Sequence, residues 1–502
     1  MSNERNKIST LLRQESGVRK NVTIEKIILW VAILSGFWWH LQAAWHQQLF
    51  GDEVHSLFFF ANNSWISLLQ RPVEPIHPNG YYLLLKFLYT LTPSVLALRF
   101  WMVGSFVASC WVLSRILKQL RFPSNMSLAI VALWSSSAYI WHFSFQLRMY
   151  GPAMTLLLLS LLTLMQKKYW WSMVVDWLLL FLAYGSIVGI VAKWLAWFLF
   201  RDTKLQKARK FWVANDFAPA ALSLLPVFVV VIQFWQQQAA IDTSYLYWVH
   251  QPVFADWSLA FLSFFAGLFL PYFEGYSALS QRWMQLGAIA NWGFLLAVFG
   301  GFAFAYRQKK IIVQWWKQRT TNERLLLLIS LITITLYTTI FGWSLFTQGH
   351  IFHVRQLFPV AVIGWLFMAW LLNQIHRFRP VITFVLVTGI LAINQTSIIK
   401  DTWADNQAYP HHFQPQPGTP VIASQTDIEL IYKQCQTFTW NDVEKACAQH
   451  HIFLLEKFEN TQALPSTWWL TTRAYQTWPE KNQLIHCSAI SLDFWECRQQ
   501  EF

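Results

Sequence analysis

The amino-acid sequence predicts an all-α polytopic membrane protein of about 11 transmembrane helices, followed by a small C-terminal α/β domain. Three observations support this fold class: 55% of the 502 residues are hydrophobic, only 13% are charged, and the mean hydropathy is +0.32. Soluble domains carry about 25% charged residues, so a soluble protein of this length could not cover its surface. The apolar residues form long runs without heptad spacing, which excludes disorder, collagen and coiled coil.

The net charge of +13 is divided unevenly along the chain. The first 400 residues carry 32 Lys and Arg against 13 Asp and Glu, whereas residues 401–502 carry 6 against 12. A basic excess in short loops between apolar runs is typical of the cytoplasmic side of a membrane protein. No aromatic and basic groove or known recognition module accompanies it, so we expect no nucleic-acid partner.

Residues 1–26 form a basic tail that we expect in the cytoplasm, and residues 27–400 form the predicted membrane domain. No small-residue cleavage site follows the first apolar run, which is therefore predicted to be a retained signal-anchor. Keeping every later basic cluster inside requires an even number of crossings between clusters. The spans that satisfy this rule lie at 27–43, 95–114, 127–144, 151–166, 169–200 (two short helices), 211–235, 284–306, 325–347, 356–374 and 381–399.

The stretch 169–200 is predicted to be two short helices because a single span would place one basic cluster outside. We expect the break near Gly185-Ser186. Asp176 and Lys193 fall inside this pair of helices. Intramembrane charges are candidates for function, but mutual pairing is the simpler interpretation and the one we favour.

Two further apolar stretches, 81–92 and 257–272, are predicted to be helices that lie on the outer membrane surface. Counting the second as a span would send the basic stretch after Arg307 to the outside.

Residues 401–502 follow the last span, so we expect an extracytoplasmic domain. Its apolar runs predict short strands at Val421–Ala423, Ile452–Leu455 and Trp468–Leu470, and a helical pattern covers 426–434.

Four of the five cysteines lie in this domain, at Cys435, Cys447, Cys487 and Cys497. An even number in an acidic, outward domain suggests two disulfides formed in an oxidising compartment. Three pairings are open, of which the simplest joins Cys435 to Cys447 and Cys487 to Cys497; four free thiols are the alternative.

The first outer loop, residues 44–94, contains two polar motifs. The first is Gly51-Asp52-Glu53-Val54-His55, and a carboxylate partly desolvated at a membrane surface has a raised pKa that suits a general base. The second is His77-Pro78-Asn79-Gly80-Tyr81-Tyr82, in which His-Pro favours an extended turn before a helix. Either motif in isolation is also compatible with ordinary loop chemistry.

Two isolated arginines occur in later outer loops. Arg148 lies in Gln146-Leu147-Arg148-Met149-Tyr150-Gly151, and Arg355 follows His350 and His353. Arginine suits planar recognition of phosphate, whereas anchoring at the membrane interface is the alternative for both. The two histidines, together with Glu53 and His55, could also form a divalent metal site, although their spacing is not diagnostic.

Taken in order, these motifs resemble the type C glycosyltransferases, and within them the glycosyltransferase family 39 that includes protein O-mannosyltransferases and aminoarabinose transferases. Asp52-Glu53 resembles the Asp-Glu motif of the first outer loop, and His77-Pro78-Asn79 resembles the His-Pro-Pro turn, with Asn79 in place of the second proline. Arg148-Met149-Tyr150 resembles the Arg-x-Tyr signature at the fourth span. Arg355 followed by Pro359 resembles the late Arg-Tyr…Pro signature, with Gln356 in place of tyrosine. The likeness covers roughly residues 25–400.

The resemblance implies an inverting transfer of a sugar from a polyprenyl-phosphate donor to an acceptor hydroxyl on a protein, lipid or glycan, outside the cell membrane. Asp52 would be the general base and Glu53 would assist it. The implied phosphate-binding residues are Arg148, Arg355, Lys86 and His353, and the implied positioning residues are His55, His77, Tyr82 and Tyr150.

A transporter or flippase for a lipid-linked or anionic solute is the alternative from a different class. It would share the spans and the buried charges, but it would need no carboxylate pair after the first span. Transporters also commonly show repeated halves, and we find no internal repeat in this sequence.

Overall fold

The computed structural model describes residues 27–46, 51–70, 78–200, 212–238, 253–266, 289–293, 296, 307–347, 357–408, 421–423, 452–454, 467–471, 485–489 and 494–499. The chain divides into two compact units, which are described separately. The first contains residues 1–46, 75–78 and 99–402, and the second contains residues 47–74, 79–98 and 403–502.

The helices within the described ranges are mostly apolar, as the long hydrophobic runs predict. In chain order they are α1 (Ile27–His46), α2 (Gly51–Asn62), α3 (Trp65–Gln70), α4 (Asn79–Leu91), α5 (Val95–Gln119), α6 (Ser124–Ser135), α7 (Ala138–Ser144), α8 (Tyr150–Met165), α9 (Tyr169–Leu182), α10 (Ile187–Phe200), α11 (Trp212–Gln238), α12 (Asp256–Ala266), α13 (Lys309–Lys317), α14 (Thr321–Thr347), α15 (Phe358–Phe378) and α16 (Pro380–Ala408).

Five of the described helices are long and apolar enough to cross a membrane, namely α1, α5, α14, α15 and α16. Each covers one of the predicted spans, and the chain is a multi-pass membrane protein. Shorter apolar helices occupy other predicted spans. Most of the predicted span at 284–306 lies outside the described residues, so the count of eleven stays a prediction.

The predicted span 127–144 is interrupted, and our expectation of one continuous helix is wrong. Helix α6 ends at Ser135 and α7 begins at Ala138. The Asn394 side chain on α16 accepts a hydrogen bond from the Ala138 amide at 2.8 Å and donates one to the Phe265 carbonyl at 2.7 Å. Such breaks are tolerated at membrane depth when protein groups replace the lost helical bonds.

Helix α1 lies very close to the break between α6 and α7. A Cβ atom placed on Gly36 would lie 2.4 Å from the carbonyl oxygen of Ser135. Only a glycine allows this approach, so α1 packs directly against the backbone at the end of α6.

The prediction of two short helices across 169–200 is confirmed. Helix α9 ends at Leu182, a 3₁₀ turn covers Tyr184–Ser186, and α10 begins at Ile187. The break therefore falls at the predicted Gly185-Ser186 step.

Asp176 on α9 and Lys193 on α10 pair with each other, as predicted. The Lys193 Nζ atom lies 2.7 Å from both carboxylate oxygens, and both side chains are fully buried. Lys193 also donates to the Ser172 hydroxyl at 2.7 Å, and the Trp194 indole donates to Asp176 at 2.6 Å. Ser160 of α8 donates to the same carboxylate at 2.6 Å, so this charged network joins three helices.

Helix α12 lies within the region predicted as a helix on the outer membrane surface. It packs against α7 and α15, and most of its side chains are buried. The Trp365 indole of α15 donates to the Phe264 carbonyl at 2.9 Å, and the Tyr337 hydroxyl of α14 donates to the Trp257 carbonyl at 2.5 Å. Most of α12 therefore packs against protein, and its placement at the membrane surface stays a prediction.

The C-terminal region contains a five-stranded mixed sheet in the order β2-β1-β3-β5-β4. The strands are β1 (Val421–Ala423), β2 (Ile452–Leu454), β3 (Thr467–Thr471), β4 (Ile485–Ala489) and β5 (Phe494–Gln499). β1 is parallel to β2 and β3, whereas β5 is antiparallel to β3 and β4. The first three are the predicted strands, and the predicted helical pattern at 426–434 lies outside the described residues.

Cys487 and Cys497 are directly opposite each other in the antiparallel pair of β4 and β5. Opposed residues in such a pair have Cα atoms about 4.5–5.5 Å apart, which falls within the range of about 4.4–6.8 Å that disulfides span. The register is compatible with the predicted Cys487–Cys497 bridge, which stays a prediction. Cys435 and Cys447 lie outside the described residues.

Replacing Lys193 with methionine should destabilise the membrane unit strongly. The substitution leaves Asp176 as an uncompensated buried charge, which typically costs about 3–5 kcal/mol. Adding Asp176→Asn removes that charge and keeps an acceptor for Trp194, so the double variant should regain most of the lost stability. Thermal unfolding of the purified protein in detergent measures both effects, and a double variant as unstable as Lys193→Met would contradict a purely structural pair.

Candidate functional site

The predicted first outer loop is largely helical, since it contains α2, α3 and α4. The Asp52-Glu53 motif, which we expected at the start of a loop, falls in the first turn of α2, so that expectation is wrong. Helix α4 coincides with the predicted stretch 81–92. Helix α2 was not predicted from the sequence, because its apolar residues are interrupted by Glu53, His55 and Ser56.

Aromatic side chains hold α2 and α4 together. The Phe59 and Tyr82 rings lie 5.5 Å apart between centroids, and the Phe60 and Tyr89 rings lie 5.4 Å apart. Tyr82 is fully buried in this contact. Contacts of this kind fix the rotation of α2, and therefore the direction in which each of its polar positions faces.

Glu53 and Asp52 occupy successive positions of α2, and successive positions of a helix do not face each other. The Glu53 side chain is fully buried, whereas His55 is partly exposed, with its ring 6.2 Å from that of Phe59. Buried carboxylates are rare in proteins and are normally paired.

The Lys86 side chain forms hydrogen bonds with the backbone at the C-terminal end of α2. Its Nζ atom donates to the carbonyl oxygens of Phe60 at 2.9 Å and Asn63 at 2.7 Å, and it lies 5.9 Å from the centre of the Trp65 ring. Terminal carbonyls of a helix lack intrahelical partners and carry partial negative charge, so an ammonium group is well suited to them. Partial burial lowers the pKa of this amine. These contacts favour a structural role for Lys86 over the predicted phosphate contact.

Arg148 lies in a connection that is unusual because it is enclosed by protein. Every residue from Phe143 to Tyr150 is buried, and Arg148 is only 4% exposed. A snorkelling arginine keeps its guanidinium in water, so the alternative of an interfacial anchor is wrong for Arg148. Loops are normally at the surface, and a buried one that carries a charge is a candidate functional element.

The Arg148 segment leads directly into a junction of two helix N-termini. Tyr150 is the first residue of α8 and Phe358 is the first of α15, and their rings lie 6.4 Å apart. Helix N-termini carry partial positive charge and unsatisfied amides, which favour phosphate. Tyr150 of the first signature and Phe358, which precedes Pro359 of the late signature, therefore lie together where their helices begin.

Several predicted site residues lie outside the described residues, namely His77, His350, His353 and Arg355. Among the described residues, no group of three or more His, Cys, Asp or Glu side chains is arranged to hold a metal ion.

Three further polar side chains lie near Arg148. Arg99 is buried with its guanidinium 5.8 Å from the centre of the Phe145 ring, and Gln146 lies 3.4 Å from the His142 ring nitrogen. Arg99 is one of the basic residues that the predicted topology places on the outer side, against the inside bias. Gln146 belongs to the motif around Arg148, whereas no sequence pattern pointed to His142.

Neither protein-family models nor curated proteins match this chain. Among solved structures, apo ArnT from Cupriavidus metallidurans is 11% identical with a TM-score of 0.48, covering 94% of this chain and 97% of ArnT. The same protein bound to undecaprenyl phosphate gives 10% and 0.46 with the same coverage. The archaeal oligosaccharyltransferase AglB from Archaeoglobus fulgidus, in complex with an inhibitory peptide and a dolichol-phosphate, gives 9% and 0.39, covering 88% of this chain and 69% of AglB.

These similar structures are type C glycosyltransferases, the superfamily whose motifs the sequence resembles. At such low identities and TM-scores, the chemistry of this protein has to be argued from its own residues.

Lys86→Met should lower the unfolding temperature of the purified protein in detergent. The variant loses two hydrogen bonds to helix-end carbonyls, a loss of about 1–3 kcal/mol when the carbonyls stay buried. Lys86→Arg keeps donors at this position and should restore part of the stability. An unchanged unfolding temperature in Lys86→Met would contradict the structural role.

Proposed function

We propose that this protein is a membrane glycosyltransferase that moves a sugar from a polyprenyl-phosphate donor to an acceptor hydroxyl on the extracytoplasmic side of the cell membrane. The observation that carries the proposal is the junction where α8 and α15 begin, with the buried Arg148 directly before α8. A buried guanidinium beside two helix N-termini is a favourable environment for a phosphate that leaves with two negative charges.

The membrane spans supply the second requirement of such a donor. An isoprenoid chain has to stay in the bilayer while its phosphate reaches polar groups at one end of the spans. Under the predicted topology, α8 and α15 both begin on the outer side, which places the junction at the level of lipid head groups. The donor phosphate would then be bound there without any nucleotide-binding motif.

In the proposed reaction, the acceptor oxygen attacks the anomeric carbon of the sugar as the bond from that carbon to the phosphate oxygen breaks. Asp52 takes the proton of the acceptor hydroxyl, and the polyprenyl phosphate leaves with the bonding electron pair. Attack opposite the leaving group inverts the configuration at the anomeric carbon. Arg148 and Arg355 stabilise the negative charge that develops on the phosphate.

The remaining predicted residues have supporting roles in this proposal. Glu53 is buried in α2, which suits a residue that orders the helix carrying Asp52. Tyr150 begins α8 and packs on α15, so it positions Arg148 through the backbone. His55, His77 and His353 are proposed to contact the sugar, the acceptor or the phosphate.

The transporter alternative would assign function to the intramembrane charges. Asp176 and Lys193 are the charges best placed for such a role, but they are fully engaged with each other, with Ser172 and with Trp194. A satisfied network of this kind is typical of a structural contact. No observation among the described residues favours transport over transfer.

Asp52→Asn should reduce transfer by about 10²–10⁴-fold, because the amide cannot take the acceptor proton. The measurement compares glycans and glycolipids, by mass spectrometry, in a strain lacking the gene and complemented with each variant. Folding and binding of undecaprenyl phosphate should stay close to wild type. Glu53→Gln provides the contrast, since a change at this buried position should lower the unfolding temperature.

Full restoration of the missing sugar by Asp52→Asn would overturn the base assignment. Restoration by the wild type together with an accumulated polyprenyl-phosphate sugar in the Asp52→Asn strain is the result expected for a blocked transfer.

Arg148→Ala should weaken binding of undecaprenyl phosphate by 10-fold or more, since charge-assisted contacts to phosphate are worth about 1.5–3 kcal/mol. Arg148→Lys keeps the charge without the planar fork and should be intermediate. Arg115→Ala is a matched control, because it removes the same charge from an exposed position of α5 that is predicted to be cytoplasmic. Equal affinities in Arg148→Ala and Arg115→Ala would remove Arg148 from the phosphate site.

A further inference from the structure

A basic groove lies along α13, outside the residues assigned to glycosyl transfer. It has a volume of about 380 Å³ and is lined by Lys309, Lys310, Val313, Gln314 and Lys317. The surrounding stretch from 307 to 324 carries six Lys and Arg against one acidic residue, Glu323. No step of the proposed reaction uses these lysines.

The spacing of the groove residues shows that they form one face of the helix. Lys310, Val313, Gln314 and Lys317 follow the i, i+3, i+4, i+7 pattern of a single helical stripe. All of them are exposed, and the apolar Val313 lies between the charges. A stripe that combines ammonium groups with an exposed aliphatic side chain matches a surface made of anionic head groups above hydrocarbon.

The opposite side of α13, together with the residues that follow it, packs against α15. The Trp315 ring lies 6.0 Å from the Trp370 ring of α15, and the Arg319 guanidinium donates to the Gln374 side chain at 2.7 Å. Arg319 also lies 4.6 Å from the centre of the Trp315 ring. These contacts fix the orientation of α13, and therefore the direction in which the lysine stripe (Lys310 and Lys317, next to Lys309) faces.

The depth of α13 follows from its neighbours along the chain. The candidate span α14 begins at Thr321, four positions after Lys317, and the contacts with Trp370 and Gln374 are in the last turns of the candidate span α15. Two spans therefore end beside α13, which places the lysine stripe at the head-group level. The distribution of basic residues predicts this side to be cytoplasmic.

We propose that the α13 groove binds the phosphate head groups of anionic phospholipids of the cytoplasmic leaflet. Lys309, Lys310 and Lys317 contact the phosphates, Gln314 provides a further hydrogen bond, and Val313 contacts the first acyl carbons. Charge complementarity and the fixed depth favour lipid over a soluble anion or an acidic protein.

The test is native mass spectrometry of the full-length protein in detergent, titrated with phosphatidylglycerol or phosphatidylcholine. The triple variant Lys309→Gln, Lys310→Gln, Lys317→Gln should bind phosphatidylglycerol roughly 100-fold more weakly, since each lysine near an anionic surface contributes about fivefold. Binding of phosphatidylcholine and the unfolding temperature should not change. The triple arginine variant at the same positions should retain binding.

A matched control removes three basic residues from the end of α5 and the turn that follows it, by the changes Arg115→Gln, Lys118→Gln and Arg121→Gln. This control should keep the wild-type affinity of the groove. Wild-type affinity in the α13 glutamine variant, or an equal loss in the control, would overturn the proposal. Displacement of phosphatidylglycerol by inorganic phosphate would also overturn it, because the groove would then be a site for a soluble anion.

Discussion

Every polar group that enters the membrane region of this protein has to find its partner within the protein. Water is absent at that depth, and an unsatisfied amide or charge there costs several kcal/mol. The described spans meet this constraint in two places with side chains from distant parts of the chain. Asn394 serves the interrupted backbone between α6 and α7, and the Asp176 carboxylate is shared by Lys193, Trp194 and Ser160.

The candidate site is also built from buried segments. The connection from Phe143 to Tyr150 does not run over the surface, and aromatic rings enclose it, as where Phe143 packs on Tyr150 at 5.3 Å between centroids. Enclosure fixes the position of Arg148 before a ligand arrives. A guanidinium held in this way loses little conformational freedom on binding, which is the general benefit of preorganisation.

Features that depend on hydrophobic runs and on the sign of charge could be predicted from the sequence. The five long spans, the paired short helices with their break, the Asp176–Lys193 pair and three of the five strands follow from composition and from the need to place basic clusters on one side. Features that depend on contacts between distant segments could not be predicted in this way. The break after Ser135 depends on Asn394 and on the close approach of Gly36, and neither leaves a mark in the local pattern.

The candidate site was likewise predicted only in part from the sequence. The motif resemblance identified Arg148 and Tyr150, and the structure places both at a helix junction. The role of Lys86 could not be predicted, because its partners are the backbone carbonyls of a helix that the local pattern did not show. Burial of α12 was missed for a similar reason: an apolar helix on a membrane surface and one between spans have the same composition.

The hydrogen bond between Ala138 and Asn394 has a consequence for biogenesis. Its partners are 256 positions apart, which corresponds to roughly 13–50 s of translation at about 5–20 residues per second. During that interval the first half of the protein is already in the bilayer with an interrupted helix whose freed amide lacks its final acceptor. The Ala138 amide therefore lacks the Asn394 acceptor until α16 has been synthesised.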